Sequence, residues 1–173
     1  MPIFLKFNDT QYPFTGITHT RRVVRAILLD ENNNVVLHTI RRNDNFCNQT
    51  YFETPGGGVE DNESYKEGLK REIAEEVGCD IEIEKYLGQV IDFYNLIGRK
   101  NINHYYLCRV LKRGKKHFAS SGDNLIIETK SYNIEEAYNL MSNQENTLVS
   151  YLVKQREMPF IKLVSDLFLN KSK

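Results

Sequence analysis

The chain has 173 residues, of which 40% are hydrophobic and 27% charged, a composition typical of a soluble globular protein with one sizeable core. Lysine and arginine number 23 together, as do aspartate and glutamate, so the formal net charge is zero. This balance argues against a general nucleic-acid-binding surface, and no apolar run is long enough to cross a membrane. We therefore expect a single domain over residues 1–173.

The cysteines indicate a reducing compartment. Cys47, Cys79 and Cys108 are an odd number of thiols without metal-ligand spacing, so we expect them to be reduced and mostly buried. The first residues lack the layout of a signal peptide. Together these features predict a cytoplasmic protein.

Strands are predicted over most of the N-terminal part of the chain. Residues 22–29 are rich in β-branched side chains, and residues 35–41 follow after a polar turn, which predicts a hairpin. A short edge strand is expected at residues 3–7. After a polar loop at 43–48, a strand at 51–53 leads into a glycine loop.

A helix is predicted over residues 64–77. Its buried stripe has apolar side chains at every fourth position, namely Tyr65, Leu69, Ile73 and Val77. Ser64 or Asn62 suits the N-cap, and Gly78 suits the C-terminal stop. Gly68 inside this helix indicates a close packing contact.

The C-terminal part mixes strands and helices. The predicted strands are 81–92, 104–111 and 125–132, with a connection at 95–103 and a basic loop at 113–123. Asn133 caps a predicted helix at 134–141, and a last helical region at 147–169 is expected to break near Pro159. The two C-terminal helices together span about residues 134–170. This order predicts an α/β domain built in layers.

The predicted helix carries three carboxylates that point to a metal ion. Glu72, Glu75 and Glu76 lie at i, i+3 and i+4 and therefore share one helix face. Glutamate-rich helices are often only solvated surfaces, but here a glycine loop precedes the helix. Oxygen-only ligands suit Mg²⁺ or Mn²⁺, and Mg²⁺ commonly works with substrate phosphates.

The order and spacing of these residues resemble the Nudix box, the signature of the Nudix hydrolases. The matching positions are Gly57, Glu63, Arg71, Glu72, Ile73, Glu75, Glu76 and Gly78, and Cys79 stands where the family has a larger apolar residue. The box covers residues 57–79. The resemblance implies the Nudix fold, an α/β/α sandwich with a mixed sheet.

The resemblance also implies roles for the box residues. Glu72, Glu75 and Glu76 would bind the metal ion together with the main-chain carbonyl of Gly56. Arg71 would contribute to catalysis by orienting the box glutamates, since it reaches Glu75 at i+4. Glu63 would support the geometry of loop and helix.

The general base is predicted outside the box. Many family members carry a further glutamate on the segment before the next helix, and Glu128 matches that position here. Glu72 is the alternative general base. Without a catalytic role, Glu128 would simply be an exposed strand residue.

Substrate contacts are predicted next to the box. Five arginines offer phosphate-binding charge: Arg21, Arg22, Arg25, Arg41 and Arg42. Strand position alone does not choose among them, and the alternative for each is an ordinary surface residue; we name Arg42 as the predicted substrate-binding arginine. Tyr51, Glu53 and Gly57 are predicted to bind substrate as well, with Tyr51 available to stack on a base and core packing as its alternative.

The resemblance predicts a pyrophosphohydrolase for a nucleoside diphosphate linked to another group X. Enzymes for ADP-ribose typically carry a proline after the box, and this chain has none between Pro55 and Pro159. Tyr94 lies roughly where hydrolases of dinucleoside polyphosphates often have tyrosine. We therefore favour a nucleoside triphosphate or dinucleoside polyphosphate over ADP-ribose.

Two other functions are considered. The first is a non-catalytic, nucleotide-binding regulatory module with the same fold. The second is an isomerase of isoprenoid diphosphates, although that chemistry requires a reactive cysteine and a histidine pattern that the sequence does not show. Homodimers are frequent in the family, but no interface is indicated here.

Overall fold

The computed structural model describes residues 1–116 and 123–169. Its strands form one seven-stranded mixed sheet, which confirms the predicted α/β class. The strands are β1 Ile3–Phe7, β2 His19–Leu29, β3 Val35–Asn43, β4 Asn48–Glu53, β5 Cys79–Tyr94, β6 Arg99–Arg113 and β7 Ile126–Tyr132. The helices are α1 Tyr65–Glu76, α2 Ile134–Ser142 and α3 Leu148–Leu169.

The sheet order is β1-β5-β6-β2-β3-β4, with β7 paired to β3. The antiparallel strands β5 and β6 form its long central pair. Strand β2 runs parallel to β6 from the pair His19↔Arg99 to the pair Leu29↔Arg109. Strand β6 therefore begins at Arg99, inside the stretch 95–103 that was expected to connect two strands.

The predicted hairpin of β2 and β3 is minimal. The two strands pair only at Leu29↔Val35 and then separate. The glycine loop occupies the edge that β3 leaves open, because the amides of Val24 and Ala26 donate to the carbonyls of Gly57 and Pro55 at 3.0 and 2.9 Å. This separation creates the cleft described below.

Helices cover both faces of the sheet, which confirms the predicted α/β/α sandwich. Helix α1 packs on one face through Leu69 and Ile73, both fully buried. Helices α2 and α3 pack on the other face through side chains such as Met141 and Phe160. Alternate residues of β2 serve the two cores, as expected for a buried strand.

Helix α1 begins and ends close to the predicted positions. Ser64 caps it in a capping box with Glu67, in which each side chain accepts the backbone N–H of the other residue. At the other end, Gly78 has a φ of 74° and donates to the carbonyl of Ile73. Glycine suits this left-handed conformation, so the helix stops there.

The prediction of a break near Pro159 is wrong. Helix α3 continues through Pro159 to Leu169. The side chains of Phe160, Ile161 and Val164 beyond the proline are fully buried in the core. Their packing outweighs the local cost of a helix-interior proline, which lacks an N–H to donate.

The predicted basic loop at 113–123 lies largely outside the described residues, as does residue 170 of the predicted C-terminal helical span. All three cysteines are buried free thiols, as expected. Among the described helices, none is long and apolar enough to span a membrane.

Candidate active site

The glycine loop offers one backbone oxygen to a ligand. The carbonyls of Pro55 and Gly57 accept amides of β2, and the carbonyl of Gly58 accepts Nη2 of Arg71 at 2.8 Å. Within residues 1–116 and 123–169, no hydrogen bond reaches the carbonyl of Gly56. By elimination, Gly56 is the residue of this loop whose oxygen remains available, as the resemblance implies.

Arg71 joins the glycine loop to the box carboxylates. Its Nη2 lies 2.6 Å from Oε1 of Glu63, and its Nη1 lies 3.0 Å from Oε1 of Glu72 and 3.4 Å from Oε2 of Glu75. These contacts raise the pKa of the Arg71 guanidinium, chiefly through the hydrogen bond to Glu63. The arginine therefore orients the glutamates on one helix face.

Glu76 is held from two sides. Its Oε2 accepts the N–H of Gly56 at 2.8 Å and lies 3.1 Å from Nε2 of His38. The other ring nitrogen of His38 lies 3.0 Å from Oγ1 of Thr129 on β7. No local sequence pattern indicates that β3 carries His38 to the box.

Glu72 is a carboxylate of the box whose pKa is strongly raised. Burial raises its pKa to about 7, and the charge of Glu76 adds to the rise, while Arg71 opposes it. Gly57 makes room for this carboxylate, since a Cβ on Gly57 would lie 2.5 Å from Oε2 of Glu72. A side chain at position 57 would therefore displace this carboxylate from its present position.

The oxygen donors suit a hard divalent cation. Glu72 and Glu76 repel each other in a partly buried position, and a bound cation would offset that repulsion. In the described part of the chain, no three acidic, cysteine or histidine side chains are already gathered in a metal-binding arrangement. The donor chemistry therefore fits Mg²⁺ or Mn²⁺, with side-chain adjustment around the ion.

The box faces a cleft with a volume of about 420 Å³. Glu72, Glu76 and the glycine loop form one side, and side chains of β2, β3, β4, β5, β6 and α3 form most of the rest. The cleft is large enough for a nucleotide-sized ligand.

The four predicted substrate contacts all line this cleft. Tyr51 is buried, and its low accessibility raises the pKa of its phenol. Arg42 reaches Asp44 with an Nε–Oδ2 distance of 3.1 Å. Gly57 lies against the carboxylate of Glu72. A substrate role for these residues stays a prediction.

Glu53 is bound into a buried ion-pair network rather than free to meet a ligand. Its Oε1 lies 2.6 Å from Nη2 of Arg25 and also contacts Nη2 of Arg156. The phenol of Tyr94 accepts the other terminal nitrogen of Arg156 at 2.7 Å. The sequence contained no signal for this network, because Arg156 belongs to α3.

Glu128 lies outside the cleft. Its side chain is exposed on β7, whereas Thr129, its neighbour, contacts His38. Successive strand residues point to opposite faces, so Glu128 faces away from the box. None of the three cysteines lines the cleft either. The predicted catalytic role of Glu128 therefore gains no support from its position.

A comparison with known protein families matches residues 19–151 to the NUDIX domain. This match spans more than half of the chain. The chain belongs to the Nudix family. Nudix proteins of this type are hydrolases of small nucleotide substrates and generally need a divalent metal ion. The comparison with curated proteins gives no significant match.

Solved structures of other proteins share the fold. The MutT protein from Methanosarcina mazei Go1 is 21% identical, with a TM-score of 0.60 over 89% of this chain and 97% of that one. A Nudix hydrolase from Nitrosomonas europaea is 18% identical, with a TM-score of 0.58 over 72% of this chain and 79% of that one. The E. coli ORF135 protein is 23% identical, with a TM-score of 0.50 over 70% and 79% of the two chains.

Proposed function

We propose that this Nudix protein is a pyrophosphohydrolase dependent on Mg²⁺ or Mn²⁺. It cleaves a nucleoside diphosphate linked to another group X by attack of water on phosphorus. The observation that carries this function is the convergence of Glu72, Glu76 and the Gly56 backbone on one cleft. Glu72, Glu75, Glu76 and the Gly56 carbonyl would hold the ion, which supplies positive charge to the pyrophosphate.

The protein's own groups prepare the reaction. Arg71 holds Oε1 of Glu72, so Oε2 is the oxygen left to accept a proton from the attacking water. We therefore favour Glu72 over Glu128 as the base, since Glu128 is exposed and outside the cleft.

The proposed substrates are nucleoside triphosphates or dinucleoside polyphosphates rather than ADP-ribose. Guanidinium groups of several strands and of α3 line the cleft, and such groups suit a polyphosphate chain. The absence of a proline between Pro55 and Pro159 supports the same preference.

A hydrolysis screen tests this function. Purified protein is assayed with Mg²⁺ or Mn²⁺ on nucleoside triphosphates, dinucleoside polyphosphates, nucleotide sugars and ADP-ribose, beside the matched variants Glu72→Gln and Glu128→Gln. We expect cleavage of the first two classes, a loss of kcat of at least about 100-fold in Glu72→Gln, and a change within about threefold in Glu128→Gln.

Two results would contradict the proposal. No product in any class, with nucleotides still raising the melting temperature, would indicate a binding module instead. Equal activity of wild type and Glu72→Gln would remove Glu72 from the chemistry.

A further inference from the structure

Two arginines of the cleft lack a carboxylate partner. Among the described residues, neither Arg21 nor Arg99 forms a salt bridge, although both line the cleft. The other cleft arginines are paired: Arg25 and Arg156 with Glu53, Arg42 with Asp44, and Arg71 with Glu63. The cleft therefore carries surplus positive charge at Arg21 and Arg99.

The sheet register brings these two arginines together. Arg21 on β2 is the direct partner of Asn101 on β6, and Arg99 lies two positions before Asn101 on the same strand. Alternation along a strand places Arg99 and Asn101 on one face, beside Arg21. Tyr94, the β5 partner of Arg99, presents its ring 4.5 Å from the Arg99 guanidinium carbon.

Asn101 supplies a buried donor without an acceptor. Its residue surface is 3% exposed, and its amide nitrogen has no hydrogen-bond partner. Nε of Arg99 is also buried and without a partner. Buried polar groups are nearly always hydrogen-bonded, so unpaired donors that line a cleft indicate a ligand with acceptor oxygens.

The titration of the two guanidinium groups agrees with this geometry. Burial lowers the pKa of Arg21, and the charges of Arg25 and Arg99 lower it further. Burial likewise lowers the pKa of Arg99, and the charge of Arg156 adds to the effect. An anion between them would relieve this repulsion.

The two arginines lie next to the proposed reaction site. A Cβ on Gly58 would be 3.1 Å from Nη2 of Arg21, so this guanidinium lies against the glycine loop. The carbonyl of the same glycine accepts Nη2 of Arg71, which holds the box glutamates. A group bound by Arg21 therefore lies close to any pyrophosphate at the box.

We propose that Arg21, Arg99 and Asn101 form an anion subsite for a phosphate or carboxylate that the substrate carries in addition to the hydrolysed pyrophosphate. The substrate named for this subsite rests on the proposed function. The affinity of the subsite for an anion is therefore measured separately from substrate turnover. The additional anion can be a further phosphate of the same chain or an acidic group on X.

The first test is binding of inorganic phosphate, by isothermal titration in chelator without divalent cations. The double variant Arg21→Gln/Arg99→Gln is compared with wild type and with Lys100→Gln. Lys100 neighbours Arg99 on β6 but does not line the cleft, so it is a matched control for charge. We expect equal binding to wild type and Lys100→Gln and at least about tenfold weaker binding to the double variant.

Equal phosphate binding in all three proteins, or none in wild type, would overturn the subsite. Melting temperature provides a second measurement that separates binding from a structural role. Without an anion, we expect Arg99→Gln to melt within about 5 °C of wild type, because the repulsion that is removed offsets the lost contact with the Tyr94 ring. A fall of more than about 5 °C would instead show that Arg99 stabilises the fold.

The second test distinguishes the two sources of the anion. Wild type and double variant are assayed on ATP, UDP-glucuronate and UDP-glucose, which carry a further phosphate, a carboxylate and a neutral sugar. We expect kcat/KM to fall at least about tenfold through KM for ATP or UDP-glucuronate and less than about twofold for UDP-glucose. An equal fall on all three substrates would overturn the subsite.

Failure of the proposed function gives a different pattern. If wild type hydrolyses no substrate, the phosphate titration still decides whether the arginines bind an anion. Phosphate binding without hydrolysis would support the subsite and reject the enzyme activity. Hydrolysis by wild type that the double variant leaves unchanged would support the enzyme activity and reject the subsite.

Discussion

Glu72 and Glu76 lie one helical turn apart on α1 but meet different partners. Glu76 accepts a backbone N–H of the glycine loop, while Glu72 contacts Arg71 in a partly desolvated position. Helical spacing predicted that both carboxylates share a face. It could not predict that the pKa of Glu72 is raised, because that rise depends mainly on burial in the folded protein.

We expect Glu72 to make stability depend on pH when divalent cations are removed. Its pKa rises from 4.5 to about 7 on folding, so its contribution is fully present below pH 4.5 and is lost as pH rises through 7. In chelator near pH ~8, the free energy of unfolding of Glu72→Gln should therefore be on the order of 2 kcal/mol higher than that of wild type. Near pH ~5 the two proteins should differ little.

Urea denaturation at the two pH values measures this difference. Glu128→Gln is the control, since it makes the same substitution at an exposed carboxylate. If Glu72→Gln is more stable than wild type by the same amount at both pH values, the raised pKa of Glu72 is contradicted.

At the scale of elements, local pattern and tertiary packing sometimes disagree. Pro159 predicted a break, but α3 is continuous because side chains beyond the proline fill the core. Strands β2 and β3 read as a hairpin, but the glycine loop separates them. In both cases a non-local contact outweighs a local preference, and only the fold reveals it.

The docking of β1 onto β5 depends on Gly88. This glycine has a φ of 142°, and a Cβ there would lie 1.9 Å from the carbonyl oxygen of Ile3. We expect Gly88→Ala to detach β1, to lower the free energy of unfolding by about 2 kcal/mol or more, and to speed amide exchange at residues 3–7. Hydrogen–deuterium exchange followed by mass spectrometry measures the last effect.

Gly114→Ala is the matched control for this substitution. A Cβ at Gly114 would lie 3.7 Å from the nearest atom, which is ordinary contact. Unchanged protection of residues 3–7 in Gly88→Ala would mean that β1 tolerates the side chain.

At the scale of the whole molecule, α3 connects the C-terminal part to the cleft. Arg156 contacts Glu53 and the phenol of Tyr94, and Glu157 accepts the N–H of Thr54 at 2.8 Å. Burial raises the pKa of Glu157 to about 7. These contacts fix β4 and the start of the glycine loop against the last helix.

We expect removal of Arg156 to destabilise the protein strongly. Arg156→Met leaves buried carboxylates with fewer partners, which costs about 3 kcal/mol or more. Arg113→Met is the matched control, because its partner Glu31 is exposed and solvent screens such a pair, so we expect little change. Urea denaturation measures both variants. Losses of similar size would show that the buried network does not stabilise the fold.

The sequence by itself determined the chemistry of the box and the layered α/β class. Helical periodicity brings Glu72, Glu75 and Glu76 to one face, and the capping residues limit the helix that carries them. These relations are local, so they can be read from spacing alone. The same local reasoning could not tell that Glu128 faces away from the box.

Only the tertiary structure decided what faces the box across the cleft. Arg21 meets Arg99 and Asn101 because β2 pairs in parallel with β6, and parallel pairing leaves no short-range signal in the sequence. Arg156 reaches Glu53 because α3 packs on the sheet. We propose that substrate selectivity depends on such distant residues, whereas the carboxylates of the box lie on one helix next to the glycine loop.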